Sequence, residues 1–144
     1  MAAQNIYDNP EFLAGYVTLD RQVHGLDGAG EWPDLCAMLP ELGGSKVVEL
    51  GCGFGWFSRW ADERGAEAVL GVDVSTKMHE RARAETSSAT VTYQCTDLDL
   101  LDLNPESTDL VFSSLTFHYV RDLARLFQTV ADSITPGGSF VFSV

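Results

Sequence analysis

The stretch Glu49-Leu50-Gly51-Cys52-Gly53-Phe54-Gly55-Trp56 constrains this chain more than any other. It follows Val47-Val48, the start of a short buried strand, and precedes a helix expected over roughly Trp56 to Glu63, ended by Gly65. Glycine at three alternate positions lets the backbone turn tightly between strand and helix, and lets a ligand approach it closely. The spacing excludes two phosphate-binding loops. A GxGxxG dinucleotide fingerprint started at Gly51 needs glycine where Trp56 stands, and started at Gly53 it meets Ser58. A Walker loop needs a Gly-Lys-Ser/Thr ending, which is missing. A pyrophosphate at this helix N-terminus would also be repelled by Glu49, so a ligand carrying a positive group is favoured.

Beyond this loop, strands and helices alternate. Ala68 to Val72 reads as a second strand, closed by Asp73, and Ser75 caps a helix running to about Glu85. Val91 to Cys95 is a third strand, bounded by Asp97, and Leu110 to Ser114 a fourth. Asp122 caps a helix carrying Leu123, Leu126, Phe127, Val130 and Ile134 at helical spacing. Pro136-Gly137-Gly138 forces a turn into a fifth strand beginning at Phe140-Val141-Phe142. Near-continuous apolar strands alternating with helices predict an α/β fold, a parallel sheet covered on both faces. Ligands of such sheets sit beyond the carboxyl ends of the strands, where Glu49, Asp73 and Asp97 lie. Residues 1–44 differ in character. They are rich in turn-formers and aromatics and are expected to form two short helices, about Glu11 to Gln22 and one starting near Pro33.

At 144 residues the chain makes one domain, and its net charge of −12 argues against grip on nucleic-acid phosphates or anionic lipid. No apolar run is long enough for a membrane span, and Met1 to Asn5 lack the basic and apolar regions of a secretory signal. Cys36, Cys52 and Cys95 are odd in number and widely spaced, with no metal-ligand pattern. They read as reduced, mostly buried thiols of a cytoplasmic protein without a metal site.

Glu49-x-Gly51-x-Gly53-x-Gly55 resembles the first motif of the class I S-adenosylmethionine-dependent methyltransferases. Gly71 to Met78 resembles their second motif, Thr96-Asp97-Leu98 the third, Thr108 to Ser114 followed by Phe117-His118-Tyr119 the fourth, and Thr135 to Gly138 the turn before strand five. The order holds from about residue 46 to 144. The resemblance implies a Rossmann-like doubly wound sheet over residues 45–144, with residues 1–44 as an N-terminal helical cap. The nearest flavour is the small-molecule branch that includes the ubiquinone and menaquinone biosynthetic enzymes.

The resemblance also assigns the cofactor, S-adenosyl-L-methionine, with S-adenosyl-L-homocysteine as product. Asp73, followed by Val74, accepts both ribose hydroxyls, as a carboxylate does for a vicinal diol. The backbone of Gly51, Cys52, Gly53 and Gly55 packs on the amino-acid tail, and Glu49 faces its ammonium. Asp97 and the Leu98 N–H read the adenine edge, with a plain loop acid as the alternative for Asp97. Met78 lies on the adenine face or, equally, in the core of its helix. Ser114 belongs to the fourth motif.

His118 is the one candidate general base, against the alternative of a packing histidine; Tyr119, Tyr16 and Arg21 are candidates for the same mouth. Displacement at a sulfonium needs little acid–base help when the acceptor is nucleophilic, so a missing catalytic pair does not weigh against the assignment.

The family sheet has seven strands, and this sequence ends in the fifth. The resemblance thus implies a truncated acceptor side, with Ser139 to Val144 left as an apolar edge prone to self-association. The leading expectation is methyl transfer to a small-molecule acceptor. The alternatives are a catalytically incomplete cofactor-binding module acting as a partner subunit and, behind it, a nicotinamide-dependent oxidoreductase.

Overall fold

The computed structural model describes residues 5–144, so residues 1–4 of the expected N-terminal segment lie outside the described residues. Five strands form one parallel sheet: β1 (Lys46–Leu50), β2 (Ala68–Asp73), β3 (Val91–Cys95), β4 (Thr108–Ser114) and β5 (Ile134–Ser143), in the order β3-β2-β1-β4-β5. Helices α1 (Pro10–Tyr16), α2 (Asp20–Val23) and α3 (Trp32–Met38) precede the sheet. Helix α4 (Trp56–Glu63) connects β1 to β2, α5 (Thr76–Ala84) connects β2 to β3, and α6 (Leu123–Ser133) connects β4 to β5. The chain moves outward from β1 to β3 and then returns to the other side of β1 as β4. Strand order therefore reverses between β1 and β4, where a crevice forms beyond the carboxyl ends.

Both faces of the sheet are covered, which is why the strands read as unbroken apolar runs. On one face Val47, Val69, Leu110 and Phe112 pack against Phe57 and Ala61 of α4 and Leu35 of α3. Phe57 stacks on Phe112 with ring centroids 3.7 Å apart. On the other face Val48, Leu50, Val72 and Val111 meet Leu126 and Val130 of α6. Helix α6 starts where the Asp122 side chain accepts the Arg125 N–H at 3.0 Å. Asp122→Ala leaves that amide without its cap and is expected to cost about 1 kcal/mol in urea denaturation, with an unchanged slope.

Three local expectations are corrected. The single helix expected from Glu11 to Gln22 is broken into α1 and α2, because the Thr18 hydroxyl turns back to the Gly15 carbonyl at 2.7 Å and the helix restarts only at Asp20. Ile134, expected at the end of α6, instead opens β5: it pairs with Thr108, and Ser139 with Leu110, so the residues between bulge out opposite Asp109. The Asp109 carboxylate accepts the Lys46 N–H and the Thr135 hydroxyl, which holds that bulge. All three cysteines are free, but only Cys52 is buried; Cys36 is partly covered and Cys95 exposed.

Among the described residues strand β5 pairs with β4 alone, and Phe142 and Val144 near its end are exposed. No helix among the described residues is long and apolar enough to cross a membrane, and no group of metal-ligating side chains occurs among them.

Candidate functional site

A cavity of about 320 Å³ opens beyond the carboxyl ends of β1, β2 and β4, at the reversal point. The glycine loop forms its inner wall. Gly51 and Gly53 both take left-handed backbone, with φ of +74° and +53°. The Gly51 and Cys52 N–H groups donate to the Val72 carbonyl at 2.7 and 2.9 Å, which ties the turn to β2. A Cβ added at Gly53 would meet no protein atom within 4 Å, so the backbone there faces open space.

Loop and acid fix one another. The Gly53 N–H donates to Asp73 Oδ2 and the Ser75 N–H to Asp73 Oδ1, each at 2.9 Å. Each carboxylate oxygen keeps acceptor capacity for a ligand hydroxyl. Burial raises the Asp73 carboxyl above its ordinary range, against the pull of the Ser75 and Gly53 N–H groups, and the nearby Asp8 charge adds to the rise.

Glu49 is 5% exposed and accepts the Ser58 hydroxyl at 2.8 Å. Burial pushes its carboxyl up to about 8, opposed by Ser58 and reinforced by the Asp73 charge. Burial and the Glu49 charge likewise push the Cys52 thiol up, so Cys52 serves as wall rather than nucleophile.

A carboxyl whose folded value is raised binds its proton more tightly in the folded chain. The stabilisation this brings is complete below the ordinary value of 4.5 and is lost as pH rises toward about 8. The free chain is therefore expected to lose stability between those limits in denaturant titrations. Glu49→Gln should flatten the decline, and a profile identical to wild type would show that Glu49 does not carry it.

The N-terminal segment supplies a further part of the wall. Tyr7 meets Tyr119 hydroxyl to hydroxyl at 2.6 Å and packs edge-on against Tyr16. Burial and the Tyr119 hydrogen bond push the Tyr7 phenol far up, so it stays protonated. Asp8 accepts the Ser75 hydroxyl at 2.6 Å and the Lys77 N–H at 3.1 Å, which pins this segment to the first turn of α5, directly after Asp73.

Of the sequence-predicted residues, Glu49, Gly51, Cys52, Gly53, Asp73, Val74, Met78, Asp97, Leu98 and Ser114 all line this one cavity. Met78 is also buried in its helix. Gly55 and His118 do not line it. Gly55 sits at the N-terminus of α4 with φ +83°, and a Cβ there would lie 2.3 Å from the Tyr93 hydroxyl, so its role is to let α4 start against β3. His118 is exposed and lies tilted against Tyr119; the short turn Phe117–Tyr119 presents Tyr119 to the cavity instead. Sequence reasoning missed Asp8, Glu31 and Thr116. None stands in a recognisable pattern, since each acts through partners far along the chain.

A profile of the methyltransferase domain matches residues 48–142. The chain belongs to the class I S-adenosylmethionine-dependent methyltransferases. Among solved structures, an S-adenosylmethionine-dependent methyltransferase from Mesorhizobium loti superposes with a TM-score of 0.80 at 60% identity, over 82% of this chain and 55% of that one. An uncharacterized protein of Haemophilus influenzae is 32% identical over 96% of this chain and 57% of its own length. A ubiquinone biosynthesis O-methyltransferase of Coxiella burnetii is 33% identical over 71% of this chain and 44% of its own length. The chain thus spans about half the length of the relatives it matches.

Proposed function

We propose that this chain binds S-adenosylmethionine and transfers its methyl group to a small-molecule acceptor. The observation that carries the reading is Asp73, a partly buried carboxylate held by the Gly53 and Ser75 N–H groups at the wall of the cavity. The residues present fit the cofactor's chemistry. Asp73 offers a charged acceptor to a ribose diol. The bare backbone of Gly51, Cys52 and Gly53 accommodates an amino-acid tail, and Glu49 stands beside it for the ammonium. Val74, Met78 and Leu98 offer apolar surface to a purine, with Asp97 at its edge. Residues 5–44 act as a cap in this reading, because Tyr7, Tyr16 and Trp32 line the cavity together with the glycine loop.

The cofactor supplies an electrophilic methyl on a sulfonium; the protein positions the acceptor and excludes water. No histidine lines the cavity among the described residues, and its hydroxyl-bearing wall groups there are the tyrosines, Ser114 and Thr116. An acceptor that is already nucleophilic, or one losing its proton to water, suits this wall. Nucleic acid is disfavoured as acceptor by the −12 charge.

Calorimetric titration with S-adenosylhomocysteine, with NAD as control, tests the reading. Saturable binding of the first alone is expected; saturable binding of NAD alone would overturn it. Titration with S-adenosylmethionine itself should also release protons near pH 7, because a cation beside Glu49 favours the carboxylate that burial otherwise keeps largely protonated. The same titration in two buffers of different ionisation enthalpy measures that release.

A further inference from the structure

The turn after β4 holds a strained residue to which the cofactor reading gives no part. Leu115 takes left-handed backbone, with φ of +51°, a conformation that disfavours any residue with a Cβ and a bulky one most. Its neighbours impose it. The Leu115 N–H donates to the Ser143 carbonyl and to the Ser143 hydroxyl, each at 3.2 Å, which ties it to β5. One residue on, the Thr116 hydroxyl donates to the Ser114 carbonyl at 3.1 Å and to the Leu50 carbonyl at 3.5 Å, which ties the chain to the end of β1. A chain that reaches both strands within two residues turns through the left-handed region, and glycine or asparagine does so with less strain. Leucine stands there instead.

The leucine side chain gives the fold little in return. Leu115 is 40% exposed and belongs to neither apolar core cluster. It lines the cavity. The other described non-glycine residue at positive φ, Glu106, does not line it, and the Glu106 side chain is polar and exposed. Leu115 thus joins a strained backbone to an apolar side chain left in water, both on the cavity wall. Strain of this kind persists where a site makes use of it. Leu19, 50% exposed, adds apolar surface to the same wall. It stands two residues before Arg21, and Leu115 directly follows Ser114; Arg21 Nη2 donates to Ser114 Oγ at 3.1 Å, which brings the two segments together.

We propose that Leu115 is a specificity-determining residue of the reaction, packing with Leu19 against an apolar face of the methyl acceptor. The inference rests on the methyltransferase reading. Such a contact withdraws the leucine from water and fixes the acceptor's orientation toward the methyl group.

The test compares wild type with Leu115→Asn, Leu115→Gly and Leu115→Met. Asparagine tolerates left-handed backbone but is polar, glycine removes strain and side chain together, and methionine keeps an apolar body. Urea denaturation of the free proteins reads the fold, and calorimetry with S-adenosylhomocysteine reads the cofactor site. NMR titration of p-cresol into the S-adenosylhomocysteine-loaded proteins, with glycerol as polar control, reads the acceptor side. Leu115→Asn and Leu115→Gly are expected to unfold at or above the wild-type urea midpoint, because they relieve the strain. All three variants should bind S-adenosylhomocysteine within about threefold of wild type. p-Cresol should bind the loaded wild type and Leu115→Met alike, and loaded Leu115→Asn and Leu115→Gly about 10-fold more weakly, with no binding of glycerol. Lower urea midpoints for both Leu115→Asn and Leu115→Gly would overturn the inference, since the leucine would then serve the fold. So would p-cresol binding that is equal in all four proteins or absent from the loaded wild type. A loss of S-adenosylhomocysteine affinity as large as the loss for p-cresol would also overturn it, by placing Leu115 on the cofactor. Failure of S-adenosylhomocysteine to bind the folded wild type would instead refute the cofactor reading itself, and the inference with it.

Discussion

Asp73→Ala is expected to abolish measurable binding of S-adenosylhomocysteine, weakening it by at least about 100-fold. A ribose diol donates two hydrogen bonds to a charged acceptor, each worth roughly 1.5–3 kcal/mol when the acceptor is ionised. The substitution also strips the Gly53 and Ser75 N–H groups of their shared acceptor, so the loop that walls the cavity loses its anchor. The effect on the free chain should be small beside this. Burial already raises the Asp73 carboxyl, so its charge does not stabilise the unliganded fold. Asp73→Asn separates the two contributions, since an amide oxygen still accepts N–H groups but lacks the charge, and it should bind with intermediate affinity. Calorimetry and ligand-induced shifts in Tm read both variants. Ligand shifts equal to wild type in Asp73→Ala would remove Asp73 from the site.

Sequence periodicity reached most of the sheet, and the glycine motif with the family resemblance reached the inner wall of the cavity, for a physical reason. Val47 to Leu50 and Leu110 to Ser113 are buried on both faces, and a glycine loop between strand and helix has few other uses, so local pattern and global fold agree there. Helix α4 is expected over Trp56 to Glu63 and observed with the same limits. The wall that the N-terminal segment supplies was far less legible. Tyr7 meets Tyr119 across 112 residues, and Glu31 meets Ser114 across 83, and no window of sequence registers such a pairing. His118 shows the same limit at one position. The resemblance places Phe117-His118-Tyr119 just after the fourth strand near the site, but which of them faces inward depends on a short helical turn, and a rotation of one residue exchanges histidine for tyrosine. Helix α1 stops at Tyr16 because a threonine hydroxyl competes for a backbone carbonyl, an event weaker than any hydrophobic period.

Gly51→Ala should destabilise the fold by about 2–5 kcal/mol, whereas Gly53→Ala, two residues on, should chiefly damage binding. Both glycines adopt positive φ, which costs an L-residue roughly 1–2 kcal/mol. They differ in what surrounds them. A Cβ at Gly51 would stand 2.1 Å from Thr116 Oγ1 and 2.8 Å from Thr116 Cβ, inside the reversal point between β1 and β4. Relief requires moving the turn after β4, which carries Leu115, Thr116 and Tyr119 of the cavity wall, so overpacking adds about 1–3 kcal/mol. A Cβ at Gly53 meets no protein atom, yet it stands on the backbone that a ligand tail must approach, so strain alone lowers stability while affinity falls further. Thr116→Gly provides the control. Combined with Gly51→Ala it should restore the overpacking share of the loss and leave the backbone strain, a coupling that a double-mutant cycle in urea reads directly. If Gly51→Ala melts within a degree of wild type, the turn after β4 yields freely, and the two sides of the cavity are not held in register by this contact.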